Sequence, residues 1–180
     1  MSEYVVLVNE RDEEVGVQEK LRAHVEGELH RAFSVFVFNE HGQLLLQQRH
    51  PAKYHSGGLW SNTCCSHPRP GEPVAEAAQR RLQEEMGIAC ALDHRFGFVY
   101  RSRLDGGLFE HEYDHVFVGR YDGAPSPHRD EVAHWRWIHP EALRADVAAH
   151  PGRYTYWFRL VYERVLEEAG SALQLVEKQA

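Results

Sequence analysis

SHPRPGEPVAEAAQRRLQEEMGI, residues 66–88, is the stretch on which the fold turns. Its first part is dense in Pro, Gly and His and suits neither a regular strand nor a helix. From there Val74, Ala78, Leu82 and Met86 recur at every fourth position, the repeat of a helix with one apolar face. Pro73 suits a first helical position and Gly87 a left-handed stop, so the spacing predicts a helix over 73–86. Away from the apolar stripe, Arg80 and Glu84 lie one turn apart, as do Arg81 and Glu85. Spacing alone describes these as two solvated ion pairs, which are common and weak.

Upstream, residues 51–71 are too irregular for an ordinary strand and too long for a plain connection, which favours a functional loop. Before it, 29–38 and 43–49 read as strands joined at Asn39-Glu40-His41-Gly42, a hairpin. Downstream, 95–101 and 108–121 read as strands around Asp105-Gly106-Gly107, and 133–138 as a further short strand. Helices at 140–149 and 154–168 follow. Strands mixed with helices point to the α/β class, a mixed β-sheet sandwiched between helices (α/β/α). At 180 residues the chain suits a single domain over 1–180.

Twenty Lys plus Arg against 27 Asp plus Glu give a formal charge of -7, so no global field recruits nucleic acid or an anionic membrane. Any anionic ligand must be held by a local group of cations. No run of about 18 apolar residues occurs and the N-terminus lacks a basic, then apolar, leader. A soluble cytoplasmic protein is expected, monomer or homodimer. Three cysteines (Cys64, Cys65, Cys90) make a disulfide framework improbable and leave a thiol free for chemistry.

Glu72, Arg80, Leu82, Glu84, Glu85, Gly87 and Ile88 follow the order of the Nudix box, G-x5-E-x7-R-E-U-x-E-E-x-G-U, which residues 66–88 resemble. Two positions depart from it: Ser66 replaces the first glycine and Arg81 stands where the box has glutamate. In hydrolases of that family the glutamates gather divalent cations at a diphosphate. A permanent cation in place of one carboxylate removes a hard oxygen ligand, which makes hydrolysis the less fitting chemistry. Such an arginine can grip diphosphate oxygens directly, while Glu85 reaches a magnesium carried in on the substrate.

The run Trp60-Ser61-Asn62-Thr63-Cys64-Cys65-Ser66-His67-Pro68 closely resembles the cysteine segment of type I isopentenyl-diphosphate isomerases, the Nudix-fold branch of that activity in isoprenoid biosynthesis. The resemblance extends over nearly the whole chain. It implies metal-binding roles for His24 and His30, and it includes Arg31-Ala32-Phe33-Ser34, Glu110-His111-Glu112 and Trp157. Read without the family, Glu110 and Glu112 are two apart on a predicted strand, so they share a face with His111 opposite. Like charges so placed favour a cation beside them; a solvent-facing acidic strand is the other reading. With His24, His30 and His67 they form a three-imidazole, two-carboxylate set suited to zinc, manganese or magnesium. Two cysteines in one loop leave the nucleophile or base ambiguous on residue grounds; the resemblance places catalysis at Cys65 and packing at Cys64.

Moving an isolated double bond takes an acid at one carbon and a base at another, with a tertiary carbocation between the two transfers. By resemblance, Glu112 with the Tyr100 hydroxyl handles one proton and Cys65 works on the opposite face. A cysteine pKa near about 8.5, lowered further by cations, suits that task. Trp157 would lay its π face on the cation, worth about 2 kcal/mol when desolvated. Helical spacing of Trp157, Val161 and Val165 equally describes core packing. Lys20, Arg49, Lys53 and Arg81 correspond to the family's basic residues around the diphosphate. The competing expectations are a Nudix hydrolase of a nucleotide or prenyl diphosphate, and a zinc-binding module built on Cys64, Cys65 and His67. The latter's cysteine spacing is wrong for a paired-cysteine finger.

Overall fold

The computed structural model describes residues 3–177. In chain order the strands are β1 (Tyr4–Val8), β2 (Glu14–Glu19), β3 (His30–Phe38), β4 (Leu44–Arg49), β5 (Trp60–Ser61), β6 (Cys64–Ser66), β7 (Leu92–Arg103), β8 (Phe109–Arg120) and β9 (Val132–Ile138). The helices are α1 (Lys20–Glu26), α2 (Val74–Met86), α3 (Pro140–Ala149) and α4 (Tyr156–Glu177).

The spine of the sheet is β3. Its alternate side chains are apolar on both faces, the signature of a strand covered on either side. Phe33, Val35 and Val37 join Leu45, Phe117 and the α2 residues Ala77, Ala78, Leu82 and Met86 in one core. Phe36 and Phe38 join Leu44, Leu46 and Val116 with Leu143, Trp157, Phe158, Val161 and Val165 of α3 and α4 in the other. The sheet is mixed. Along one flank β3 runs parallel to β8 from His30↔Glu112 to Phe38↔Arg120. Along the other it pairs antiparallel in succession with β1 at Leu7↔His30, β6 at Phe33↔Ser66 to Val35↔Cys64, and β4 at Phe38↔Leu44.

The central helix begins at Val74, with Pro73 at the cap position one residue before it, and ends at Gly87 with φ 66°. Gly87 is required twice over, because a Cβ there would also lie 2.7 Å from the Ser126 carbonyl oxygen. The expected hairpin, the β7–β8 pair, the last strand and the C-terminal helices are present. Three features differ from expectation. Residues 4–26, to which the sequence reading assigned no strand or helix, form β1, β2 and α1. The stretch 51–71 is not wholly loop, since Trp60–Ser61 pairs with β4 and Cys64–Ser66 with β3. Strands of two and three residues are too short to display a period. Finally, α4 starts at Tyr156 rather than 154 and continues to Glu177.

Candidate active site

Strand register brings the site together. Cys65 lies opposite Ser34 on one flank of β3, and Glu112 lies opposite His30 on the other. Both line a single cavity, with Ser34 between them on the intervening strand. Side-chain alternation along β6 separates the two cysteines: Cys64 is fully buried in the α2-side core, while Cys65 packs against the α4-side core at the cavity.

On β8, Glu110, Glu112 and Asp114 share the buried face, and His111 points the other way, with its Nδ1 3.0 Å from the Gly27 carbonyl oxygen. The Tyr100 hydroxyl donates to Glu112 Oε2 at 2.7 Å and lies 3.2 Å from Glu110 Oε2. Burial and the neighbouring charge of Glu112 hold Glu110 well above the usual carboxylate range. At Glu112 burial pulls upward too, but the facing imidazoles of His30, 3.7 Å away, and His67, 3.0 Å away, outweigh it and hold that carboxyl well below the range. The two carboxyls are therefore pushed in opposite directions.

The donors that suit a metal are oriented by main-chain carbonyls. His24 Nδ1 donates to Lys20 O at 2.7 Å and His30 Nδ1 to Glu28 O at 2.8 Å, which turns each bare Nε2 inward. Those two Nε2 atoms and His67 Nδ1 are buried without a hydrogen-bond partner. Ligand atoms of His24, His30, His67 and Glu112 all lie within 4.8 Å of one another. Burial lowers His24 and pushes His67 down to about 3, so the rings are neutral and their lone pairs are available. The 3.0 Å contact from His67 Nε2 to Glu112 Oε1 is then a hydrogen bond from a neutral imidazole, not an ion pair. Three orphaned imidazole nitrogens beside one carboxylate fit a divalent cation and could hold one.

Glu110, expected in this cluster, stands outside it, and Glu85, expected at a separate magnesium, lies elsewhere in the cavity. Glu110 faces Tyr100 and, at 3.6 Å, His55 Nε2. Glu85 is buried against Arg81 Nη2 at 2.5 Å and Gln47 Nε2 at 3.2 Å, although it lines the same cavity.

Lys20, Arg49, Lys53 and Arg81 also line the cavity, as does Trp157. Three of the cations already carry carboxylate partners: Lys20 with Glu3 at 2.8 Å, Lys53 with Glu131, and Arg81 with Glu84 at 2.8 Å as well as with Glu85. Arg49 instead places its guanidinium 5.3 Å from the Trp157 ring centre and 3.8 Å from Cys65 Sγ. Its effect on the thiol is smaller than expected. Burial pushes Cys65 up to about 12, and the pull of Arg49 in the other direction does not offset it. Cys65 is a protonated thiol at neutral pH, not a cation-activated thiolate.

Several residues of the site were missed in the sequence. His55 is buried, sits 6.0 Å ring to ring from His24 and is pushed down to about 3 by burial; a lone histidine in a polar loop gives no signal. Asp114, which accepts from Ser34 Oγ at 2.8 Å, continues the every-second-residue acids Glu110 and Glu112, and that repeat is a usable signal.

The NUDIX domain family matches residues 28–158. The chain is 55% identical to "Isopentenyl-diphosphate Delta-isomerase 1" of Aromatoleum aromaticum, over 92% of this chain and 94% of that protein. It is 54% identical to "Isopentenyl-diphosphate Delta-isomerase" of Burkholderia multivorans, over 91% and 93%. A crystal structure of a Deinococcus radiodurans protein superposes with a TM-score of 0.69 at 26% identity, over 82% of this chain and 90% of that one. Fold, matched span and identity over nearly the full length agree, and the chain belongs to the NUDIX family and, within it, to the isopentenyl-diphosphate Delta-isomerases.

Proposed function

We propose that the protein interconverts isopentenyl diphosphate and dimethylallyl diphosphate through a tertiary carbocation, with Cys65 and Glu112 as the two proton-transfer groups. The observation that carries this reading is their entry into one cavity from strands on opposite flanks of β3. The five-carbon chain lies between them. Cys65 gives a proton to the terminal alkene carbon, and Glu112, paired with the Tyr100 hydroxyl, takes one from the carbon nearer the diphosphate; the roles exchange in the reverse direction. A thiol held protonated by burial is poised for donation, and after losing its proton it takes another readily. Trp157 presents its indole to the cationic carbon, and the buried setting excludes the water that would trap it as an alcohol.

Lys20, Arg49, Lys53 and Arg81 anchor the diphosphate so that the reacting carbons hold still. Glu85 would hold a magnesium carried by the diphosphate, and His24, His30, His67 and Glu112 would hold the resident ion, with Glu110 beside them. Imidazole-rich donors favour zinc or manganese over magnesium there. When bound, that ion supplies positive charge beside Glu112 and keeps it ionised. We place the protein in the cytoplasm as a single domain, monomer or homodimer.

Hydrolysis is the less favoured chemistry, since Arg81 occupies a carboxylate position of the Nudix box and is engaged by Glu84 and Glu85. Incubation with isopentenyl diphosphate and magnesium, followed by proton and phosphorus NMR, tests the proposal. Dimethylallyl diphosphate without free phosphate is expected; phosphate without isomer would make the protein a hydrolase.

A further inference from the structure

Between the cysteine strand and the helix that carries Trp157 lies a buried polar node. Asn62 is fully buried, and both ends of its amide are saturated. Its Nδ2 donates to Cys64 O at 2.7 Å and to Val35 O at 3.2 Å. Its Oδ1 accepts from Trp157 Nε1 at 3.2 Å and from Ser61 Oγ at 2.9 Å. The Ser61 hydroxyl, having given its proton to Asn62, accepts from Thr155 Oγ1 at 2.9 Å.

A polar cluster in a wholly dry place costs stability unless each valence is used, and four good bonds from one side chain leave it no freedom to turn. Of those four bonds, two grip the main chain of β6 and β3, one of them at the carbonyl of the residue immediately before Cys65. A third fixes the rotation of the indole about the bonds that set where its ring faces. The remaining bond, to Ser61 and onward to Thr155, only braces the node.

We propose that Asn62 is a positioning residue for the isomerisation, holding the Trp157 ring and the Cys65 strand in one fixed relation so that cation-stabilising face and proton-transfer thiol act on the same carbons. This rests on the roles proposed above for Trp157 and Cys65. Asn62 touches no substrate. Its removal lets the indole rotate away from the cavity and loosens the strand under the thiol, without altering Lys20, Lys53 or Arg81. The chemical step then suffers most, and diphosphate binding little, because only Arg49 of the four anchors lies against the indole.

The test compares Asn62→Ala, Thr155→Val and Trp157→Phe in the metal-loaded full chain, with kcat, KM, thermal midpoint and the yield of tertiary alcohol from water capture. For Asn62→Ala the expected result is a fall in kcat of about 10- to 100-fold with KM within about 3-fold of the parent, and a rise in alcohol yield. Thr155→Val removes a brace but neither grip, and is expected to lower the thermal midpoint while leaving kcat near the parent value. Combining Asn62→Ala with Trp157→Phe should cost little more than the larger single loss, because both act through the indole. Should Asn62→Ala not fold, Asn62→Ser, polar but too short to reach the indole, carries the same expectation. The proposal is overturned if losses in the double variant multiply, if kcat and KM change together, or if Thr155→Val lowers kcat as much as Asn62→Ala. Parental kcat in Trp157→Phe would instead overturn the role of Trp157 itself, and the proposal with it.

Discussion

Cys64 and Cys65 are adjacent in sequence and opposite in environment, one closed in the α2-side core and the other at the cavity. Cys65→Ala and Glu112→Gln are each expected to lower kcat by about 100- to 10,000-fold, the usual contribution of a positioned acid or base, with circular dichroism unchanged. Cys64→Ala should leave kcat within a few-fold of the parent. Equal loss in all three variants would mean that the wrong cysteine has been assigned. Most cavity residues were legible at this scale through their resemblance to a known order of residues. What did not follow was electrostatic: no spacing rule conveys that burial outweighs Arg49 at the Cys65 thiol, or that Glu110 turns to Tyr100 and His55 and away from the three histidines. Those outcomes depend on which side chains converge from strands far apart in the chain.

At the scale of elements, the long periodic helix and the strands of eight or more residues were legible, because several repeats of 3.6 or 2 residues can be counted along them. β5 and β6 were not, being too short to show a period. They exist because β3 and β4 offer open edges and because side chains stand in for missing ladder bonds: Thr63 Oγ1 accepts from Val37 N at 2.9 Å and donates to Leu45 O at 2.7 Å. A different device fastens α3. Asp146 accepts from the Tyr154 hydroxyl at 2.6 Å and from Arg136 Nη2 of β9 at 2.9 Å, which lowers its carboxyl to about 2. Its folded-state value lies below the ordinary 3.8, so the stabilisation is present above that value and is lost as pH falls through about 2. Asp146→Asn is expected to lower the thermal midpoint by about 2–4 °C at pH 7, with the difference vanishing towards pH 2. A difference that persists at pH 2 would show that the bonds to Asp146 do not depend on its charge.

Across the whole molecule, a net charge of -7 coexists with a cavity lined by two lysines and two arginines, because Glu3, Glu84, Glu85 and Glu131 pair with three of those cations. No helix among the described residues is long and apolar enough to cross a membrane. The His24, His30, His67 and Glu112 cluster joins α1, β3, the end of β6 and β8, so an ion held there ties elements from both ends of the fold. Chelation with EDTA is expected to lower the thermal midpoint by about 5–10 °C, as for a ligand present at about 100 times its Kd, and zinc or manganese should restore it. An unchanged midpoint, with no metal by elemental analysis, would remove the resident ion from the account. The central claim is geometric: thiol and carboxylate confront the carbon chain from opposite sides. Turnover in deuterated water of isopentenyl diphosphate labelled stereospecifically at the methylene beside the double bond, and with tritium at the E or Z position of the terminal alkene carbon so that the product methyl is chiral, reads that geometry directly. Addition and removal of hydrogen on opposite faces is the predicted result, and transfer on a single face would contradict it.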